Sequence, residues 1–372
     1  MKKIALFAIV IFLLSQCGCW NRRELNDILI VQAVGIDKLK NGDFRLTYQV
    51  LKPKVLKNPS NIPSSPQQKG VWCFSSTGKT IFDAIRNATL SSDKKLFWAH
   101  NKIVVVSERL AKKEIKDVLD MILRDHEFRS DAYIIITSDD IEKFLNISSP
   151  MESIPAKELE NVIKNYYTNS KTMPVKIYEF VKMTNTKSKV GFAPFVEIKR
   201  PLALSSENYM FFVSKTAVFD NFKLIGYLNH NETRGVLWVL NKIKSGIYPI
   251  ENKNMSISLE LIHSSSKILA ENTKNKVLFK IEIISEVNLG EKEKGLQFTQ
   301  KNLEEVKKEL SKSITKDINQ ALKKSFELRA DILHFQDIYY IQYQKPLKFD
   351  KQSIAMSITV KPFVRRFGML KN

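Results

Sequence analysis

An unbroken apolar run of eleven residues, Ile4–Leu14, follows Met1-Lys2-Lys3 and gives way to polar chain at Ser15-Gln16-Cys17-Gly18-Cys19. As a helix it would rise only about 16 Å, roughly half of a hydrocarbon core. It is too short for a stable membrane span, so the rest of the chain is expected to fold as water-exposed domains. A cationic start, a short apolar core and small residues after it describe an export signal, residues 1–18, that is removed on maturation.

The two cysteines at the end of the run resemble the cleavage point of bacterial lipoproteins, in which the thiol carries a diacylglycerol. Cys17 has Leu14 three residues before it but Gln16 immediately before; Cys19 follows the small Gly18 but has Gln16 at the third position back. Both stay open on these residues alone. Two acyl chains, at about 0.8 kcal/mol per buried methylene, hold a protein on a bilayer where one does not. An ordinary secretory signal followed by incidental cysteines is the alternative.

A chain of 372 residues is long for one core, and at 44% apolar and 26% charged it is globular rather than disordered. Its net charge of +20 would suit nucleic acid or an anionic membrane. The lysines are scattered, however, and alternate with acids, as in Glu291-Lys292-Glu293-Lys294. That pattern reads as a solvated surface, and export argues further against a nucleic-acid partner. With Cys19 acylated, Cys73 is the one thiol left in the mature chain, so no intramolecular disulfide is expected. Cys73 itself reads as a small buried side chain in a strand.

The hydrophobic period changes along the chain. Ile28–Ile36 reads as a buried strand, and Asn41-Gly42 turns it into an alternating partner. Residues 57–69, with three prolines, read as an exposed loop. From Val71 strands alternate with helices: a strand at Val71–Ser75, a helix at Thr80–Leu90, a strand at Lys102–Ser107, a helix at Lys112–Arg124 and a strand at Ala132–Thr137. Such units build a sheet with parallel pairs. This N-terminal mixed α/β domain is drawn as 19–148. Residues 155–184 look helical and make 149–205 a small middle subdomain, with Pro201–Asn208 as linker. The C-terminal domain, 206–372, begins with a hairpin of Met210–Phe219 and Lys223–Tyr227 turning at Asp220-Asn221. A helix follows from Glu232 to Lys244. Alternating strands come next at Ile257–Leu261 and Phe279–Ile283, then one long amphipathic helix through Leu303, Val306, Leu310, Ile314, Ile318 and Leu322, and a last strand at Ile354–Val360. The expected class is α+β, multidomain, with an antiparallel C-terminal sheet.

Chemistry is hard to find. Ser76-Thr77-Gly78-Lys79-Thr80 lies where a phosphate-binding loop would, but Cys73 occupies the position of its first glycine. A helix cap explains the same residues. His100, His126, His230, His263 and His334 are isolated, with no zinc-ligand spacing. There is no Gly-x-Ser-x-Gly elbow or recognisable Cys–His pair. The reading is of no catalytic residues, no metal and no cofactor.

The segment Cys19-Trp20-Asn21-Arg22-Arg23-Glu24-Leu25-Asn26-Asp27 resembles the mature start of the Ger(x)C family, the C-subunit lipoproteins of spore germinant receptors. The resemblance continues in Val34-Gly35-Ile36-Asp37, Gly78–Arg86, Leu96-Phe97-Trp98-Ala99-His100, Leu123–Arg129, Ala217-Val218-Phe219, Glu232-Thr233-Arg234-Gly235 and Asp331-Ile332. It implies lipidation at Cys19, with Cys17 still open, and a membrane-lipid contact through that residue. It also implies a place on the outer face of the spore's inner membrane, assembly with integral-membrane A and B subunits, and no enzymatic activity. Trp20, Arg22, Arg23, Glu24, Asn26 and Asp27 become candidates for membrane or partner contact, against a role in capping the first strand. Glu232, Thr233, Arg234 and Gly235 become candidate contacts, against capping and packing at a helix start. A solute-binding lipoprotein for a small nutrient is the rival; it would need two similar lobes, and these halves differ in pattern.

Overall fold

The computed structural model describes residues 27–52, 70–113, 115–147, 152–200, 209–252, 255–292 and 299–366, with Lys3. The export signal apart from Lys3, the proline-rich loop and the 201–208 linker lie outside the described residues.

Ile28–Lys38 (β1) and Phe44–Leu51 (β2) form the expected antiparallel hairpin, with Gly42 at φ +93° in its turn. Val71–Gly78 (β3) pairs with the far edge of β2. Thr80 then caps Ile81–Asn87 (α1), its hydroxyl accepting from the Asp83 amide at 3.1 Å, which is what the phosphate-loop-like residues do here. Lys95–Phe97 (β4) and Ile103–Ser107 (β5) lie parallel to β1.

A short helix that the sequence did not indicate, Glu108–Ala111 (α2), comes first, and the helix expected over 112–124 starts only at Lys116 (α3, Lys116–Arg124). Ser107 caps the first, and Ile115 leaves helical geometry to donate its amide to the Phe222 carbonyl at 3.1 Å. The aligned Ile115, Leu119 and Ile122 are buried all the same.

Next come Tyr133–Thr137 (β6), Ile141–Leu145 (α4), Pro155–Lys164 (α5), Tyr166–Asn169 (α6), Ile177–Thr184 (α7) and Val190–Lys199 (β7). The helices of the stretch read as a middle subdomain cover the sheet. Leu159 and Ile163 of α5, with Phe144 of α4, pack on Ala33, Ile103, Val105 and Ile135. The alternate residues Val34, Ile36, Val104, Val106, Ile134 and Ile136 share a core with Ile81, Leu119 and Phe180.

Met210–Asp220 (β8) and Lys223–Leu228 (β9) are the expected hairpin. Its turn residues are Asn221 and Phe222, at φ +45° and +68°, one position later than the sequence indicated. The hairpin extends the first sheet through β7, giving the order β3-β2-β1-β5-β6-β7-β8-β9 with β4 also on β1. A strand pair assigned by sequence to the C-terminal part therefore completes the N-terminal sheet.

His230–Val239 (α8) ends earlier than expected because Asn241 takes the left-handed conformation, φ +54°, and Lys242 donates back to the Leu237 carbonyl. Gly246–Asn252 (β10), Met255–Asn272 (β11) and Val277–Lys292 (β12) form an antiparallel ribbon. Gln300–Leu328 (α9) is the long amphipathic helix, with Val306, Leu310, Ile314, Ile318 and Ala321 buried. Phe335–Tyr343 (α10) follows, and Ile354–Arg366 (β13) joins β12 in parallel rather than antiparallel. The two intervening helices supply the crossover that a parallel pair requires. The fold is α+β with two sheets, as expected.

Candidate functional site

The Glu232-Thr233-Arg234-Gly235 stretch lies in the first turns of α8. Asn229 accepts from the Asn231 and Glu232 amides while Glu232 Oε2 takes the Asn229 amide at 2.8 Å, a reciprocal capping box. Thr233 Oγ1 donates to Thr216 Oγ1 at 2.9 Å, tying the helix to β8. Arg234 turns inward: its Nε donates to Asp317 Oδ2 of α9 at 2.6 Å, and its guanidinium lies over the Tyr248 ring at 4.2 Å. Tyr248 donates to the same Asp317 oxygen at 3.2 Å and accepts from Trp238 Nε1 at 2.7 Å. Burial pushes the Asp317 carboxyl up, opposed by the guanidinium beside it, and raises the Tyr248 phenol. Gly235 permits the crossing, since a Cβ there would lie 2.2 Å from the Asp317 carbonyl oxygen. This stretch is thus the joint between the two sheets, and its polar groups are turned inside it. Of the N-terminal candidates, Asp27 is exposed just before β1; Cys17, Cys19, Trp20, Arg22, Arg23, Glu24 and Asn26 lie outside the described residues.

Two polar clusters were not among the candidate sites, although Asp37 of the first belongs to the Val34–Asp37 resemblance. At the carboxyl ends of β1, β5 and β6, where open α/β sheets hold ligands, a crevice of about 550 Å³ is lined by Asp37, Arg45, Ser107, Arg109, Asp139 and Asp140. Asp37, buried, accepts from Ser107 Oγ at 2.6 Å and Arg109 Nη2 at 2.5 Å, with Arg45 Nη2 at 3.5 Å. Arg45 also reaches Asp140 at 3.2 Å, and Asp139 Oδ2 accepts the Ile198 amide. Asp37, Asp140, Arg45 and Arg109 are spent on one another and clasp α2 and α4 to the strand ends. The second cluster joins Ser188, just before β7, to α10. Ser188 Oγ donates to Asp337 Oδ2 at 2.6 Å, and His334 Nδ1 stands 2.8 Å from that oxygen and 2.9 Å from Ser188 Oγ. Serine and carboxylate meet the same ring nitrogen, so this is not the relay of a hydrolase, where they use opposite nitrogens. Each cluster joins segments that are far apart in sequence, Asp37 with Ser107 and Arg109 and Ser188 with His334 and Asp337, so neither spacing nor periodicity could have found it.

Among the described residues no group of three His, Cys, Asp or Glu is placed to hold a metal ion, and no helix is long and apolar enough to cross a membrane. Cys73 is half-buried, with Sγ 3.5 Å from the Leu145 carbonyl.

Two family models match in tandem: "Spore germination protein N-terminal domain" over residues 21–198 and "Spore germination B3/ GerAC like, C-terminal" over residues 214–368. The chain belongs to the Ger(x)C family. Its relatives include spore germination protein KC of Bacillus subtilis, 26% identical over 95% of this chain and 93% of that protein. Spore germination protein B3 of the same organism is 24% identical over 92% and 90%. The crystal structure of the GerBC protein matches with a TM-score of 0.57 at 18% identity, covering 89% of this chain and 96% of that one. The Ger(x)C fold is therefore this fold. Membership of this germinant-receptor C-subunit family supports a role in spore germination, and the family is not a known enzyme family.

Proposed function

We propose that this protein is the lipid-anchored, non-catalytic C subunit of a nutrient germinant receptor. It is held on the outer face of the spore's inner membrane by a diacylglycerol on Cys19, with Cys17 as the other candidate, and it assembles with integral-membrane A and B subunits. One observation carries the reading: the family match begins at residue 21, directly behind the apolar run and its cysteines, and continues through both halves to residue 368. A leader, an acylatable thiol and two well-packed sheets leave surface as the working part. A tether in the partners' membrane raises their local concentration, so a modest interface suffices for assembly.

The test replaces the gene with Cys19→Ala and Cys17→Ala forms, and deletes it, in the organism that makes it. Cys19→Ala protein should move to the aqueous phase on detergent partition, and deletion should lower the A and B subunits in spore membranes and slow nutrient-triggered germination. Normal receptor levels and germination without the protein would sink the proposal.

A further inference from the structure

Asp27, the exposed residue before β1, follows Cys19 by eight residues, at most about 28 Å of extended chain. From Ile28 to Asp37, beside the crevice, β1 runs on for about another 30 Å. An anchor on Cys19 therefore holds the amino end of β1 nearest the bilayer. Strand pairing shows what else lies at that end. Ile28 is level with Lys95 of β4, Val31 with Val50 of β2, and Val50 with Trp72 of β3. Beyond that row the Lys52 amide donates to the Gly70 carbonyl at 3.0 Å. From α1, packed on β2 and β3, the 3₁₀ turn Ala88–Leu90 and residues 91–94 bring the chain to β4.

Large apolar side chains are open here. Trp72 is 43% exposed and Leu90 is 83% exposed. Trp72 stacks on Phe74, with ring centroids 4.4 Å apart, so the open indole is held in place on the strand.

The charge at this end is positive. Lys52, Lys94 and Lys95 make no ion pair among the described residues. The acids nearby are Asp27, Asp93 and Glu152, the last held by Lys157 at 2.8 Å. Between Lys52 and Gly70 the sequence holds three more lysines, Lys54, Lys57 and Lys69, and no acid. An indole beside ammonium groups suits the headgroup layer of an anionic bilayer, where the ring lies among the glycerols and the lysines reach phosphates. A bilayer is favoured over a protein partner because the anchor brings this end to lipid first.

We propose that this end of the first sheet, at Trp72, Leu90, Lys52, Lys94 and Lys95, docks on an anionic bilayer and so fixes the orientation of the anchored protein. Trp72 and Leu90 enter the headgroup layer while the lysines pair with lipid phosphates. The far end, with the crevice, then points away from lipid. The orientation rests on the lipid-anchored reading, and the test scores the docking surface apart from the anchor.

The test places the purified mature protein on vesicles of phosphatidylcholine and phosphatidylglycerol whose acyl chains carry bromine, a short-range quencher of tryptophan emission. Trp98 and Trp238 are buried, so in a Trp20→Phe background the quenching reads Trp72. Emission should be quenched and shifted to the blue, and Trp72→Phe should remove the effect. Lys94→Glu together with Lys95→Glu should lower the ratio of docked to undocked protein at least about fivefold, since one lysine near an anionic surface contributes about that factor. Leu90→Asp should also weaken docking without lowering the melting temperature, because that side chain is open. Mass spectrometry of the same sample reads the acyl chains on Cys19; quenching without them would overturn the anchor and keep the surface. No quenching of Trp72 on anionic vesicles overturns the surface. So does equal quenching on vesicles of phosphatidylcholine alone, or protection of Trp72 only when the membrane-spanning subunits are added.

Discussion

The two sheets are buried in different ways. In the larger one the parallel centre is covered on both faces: all five residues of β5 are buried, and β1 has only Gln32 and Lys38 partly open. In the smaller one, β11 and β13 alternate, one residue toward α9 and α10 and the next toward solvent. A sheet buried twice reads as a continuous apolar run and a sheet buried once as a period of two. The comparison also assigns roles to the helices. Around the first sheet they come from both sides and bury its two faces; against the second, α9 and α10 cover one face and carry the chain across to β13. Between them sits the Arg234–Asp317 joint, a buried ion pair in an otherwise apolar core that runs through both halves.

The sharpest way to break this arrangement is at the joint. Asp317→Ala would leave the Arg234 guanidinium buried without its carboxylate, at a cost of about 3–5 kcal/mol. Urea unfolding should show the loss and split into two transitions, because the tie between the sheets goes first. A change below about 1 kcal/mol would mean that apolar contact alone couples them.

A smaller effect is expected in acid, at the tie between α10 and the first sheet. Burial pushes the Asp331 carboxyl up to about 6, against the Gln336 and Phe335 amides that donate to it. Folded protein therefore holds that proton more tightly than the unfolded chain. Its contribution is complete below about pH 4 and is lost as pH rises through 6, a change of about 2–3 kcal/mol. Asp337 has the opposite sign. Burial would raise it, but His334 and Ser188 hold it down at about 2, so its contribution is present above about pH 4 and lost towards pH 2. Asp331→Asn should flatten the urea midpoint between about pH 4 and 6; an unchanged slope would place the titrating group elsewhere.

The smallest effect sharpens the contrast between the sheets themselves. Val105→Thr puts a hydroxyl into a strand covered on both faces and should cost about 1–3 kcal/mol. Ile358→Thr, on a half-buried strand where threonine is a good strand former, should cost under about 1 kcal/mol. Equal losses by chemical denaturation would mean that the second sheet is covered on both sides in the folded protein.

Periodicity was enough for the elements: the β1–β2 hairpin, the alternation through β6, the long α9 and the last strand all follow from where apolar residues recur. It failed where a distant backbone intervened. The helix read from Lys112 starts only at Lys116, after Phe222 takes the Ile115 amide, and α8 looks longer until Asn241 turns left-handed. Of the site residues, Glu232–Gly235 stood out by resemblance, but nothing marked Asp317, Tyr248 or Trp238 as their partners.

The sequence by itself determined the type of the strongly periodic segments and the family resemblance, because secondary structure and short motifs are written in residues a few positions apart. The strands Val190–Lys199 and Gly246–Asn252 and the helix Phe335–Tyr343 it left unassigned. Only the tertiary structure decided where the 210–228 hairpin goes, that β13 runs parallel to β12, and that Arg234 faces inward. Those outcomes depend on which edges and charges meet across many tens of residues. A strand's edge offers the same hydrogen bonds to any partner, so its choice is made by the packing of side chains on its faces once the whole core has formed.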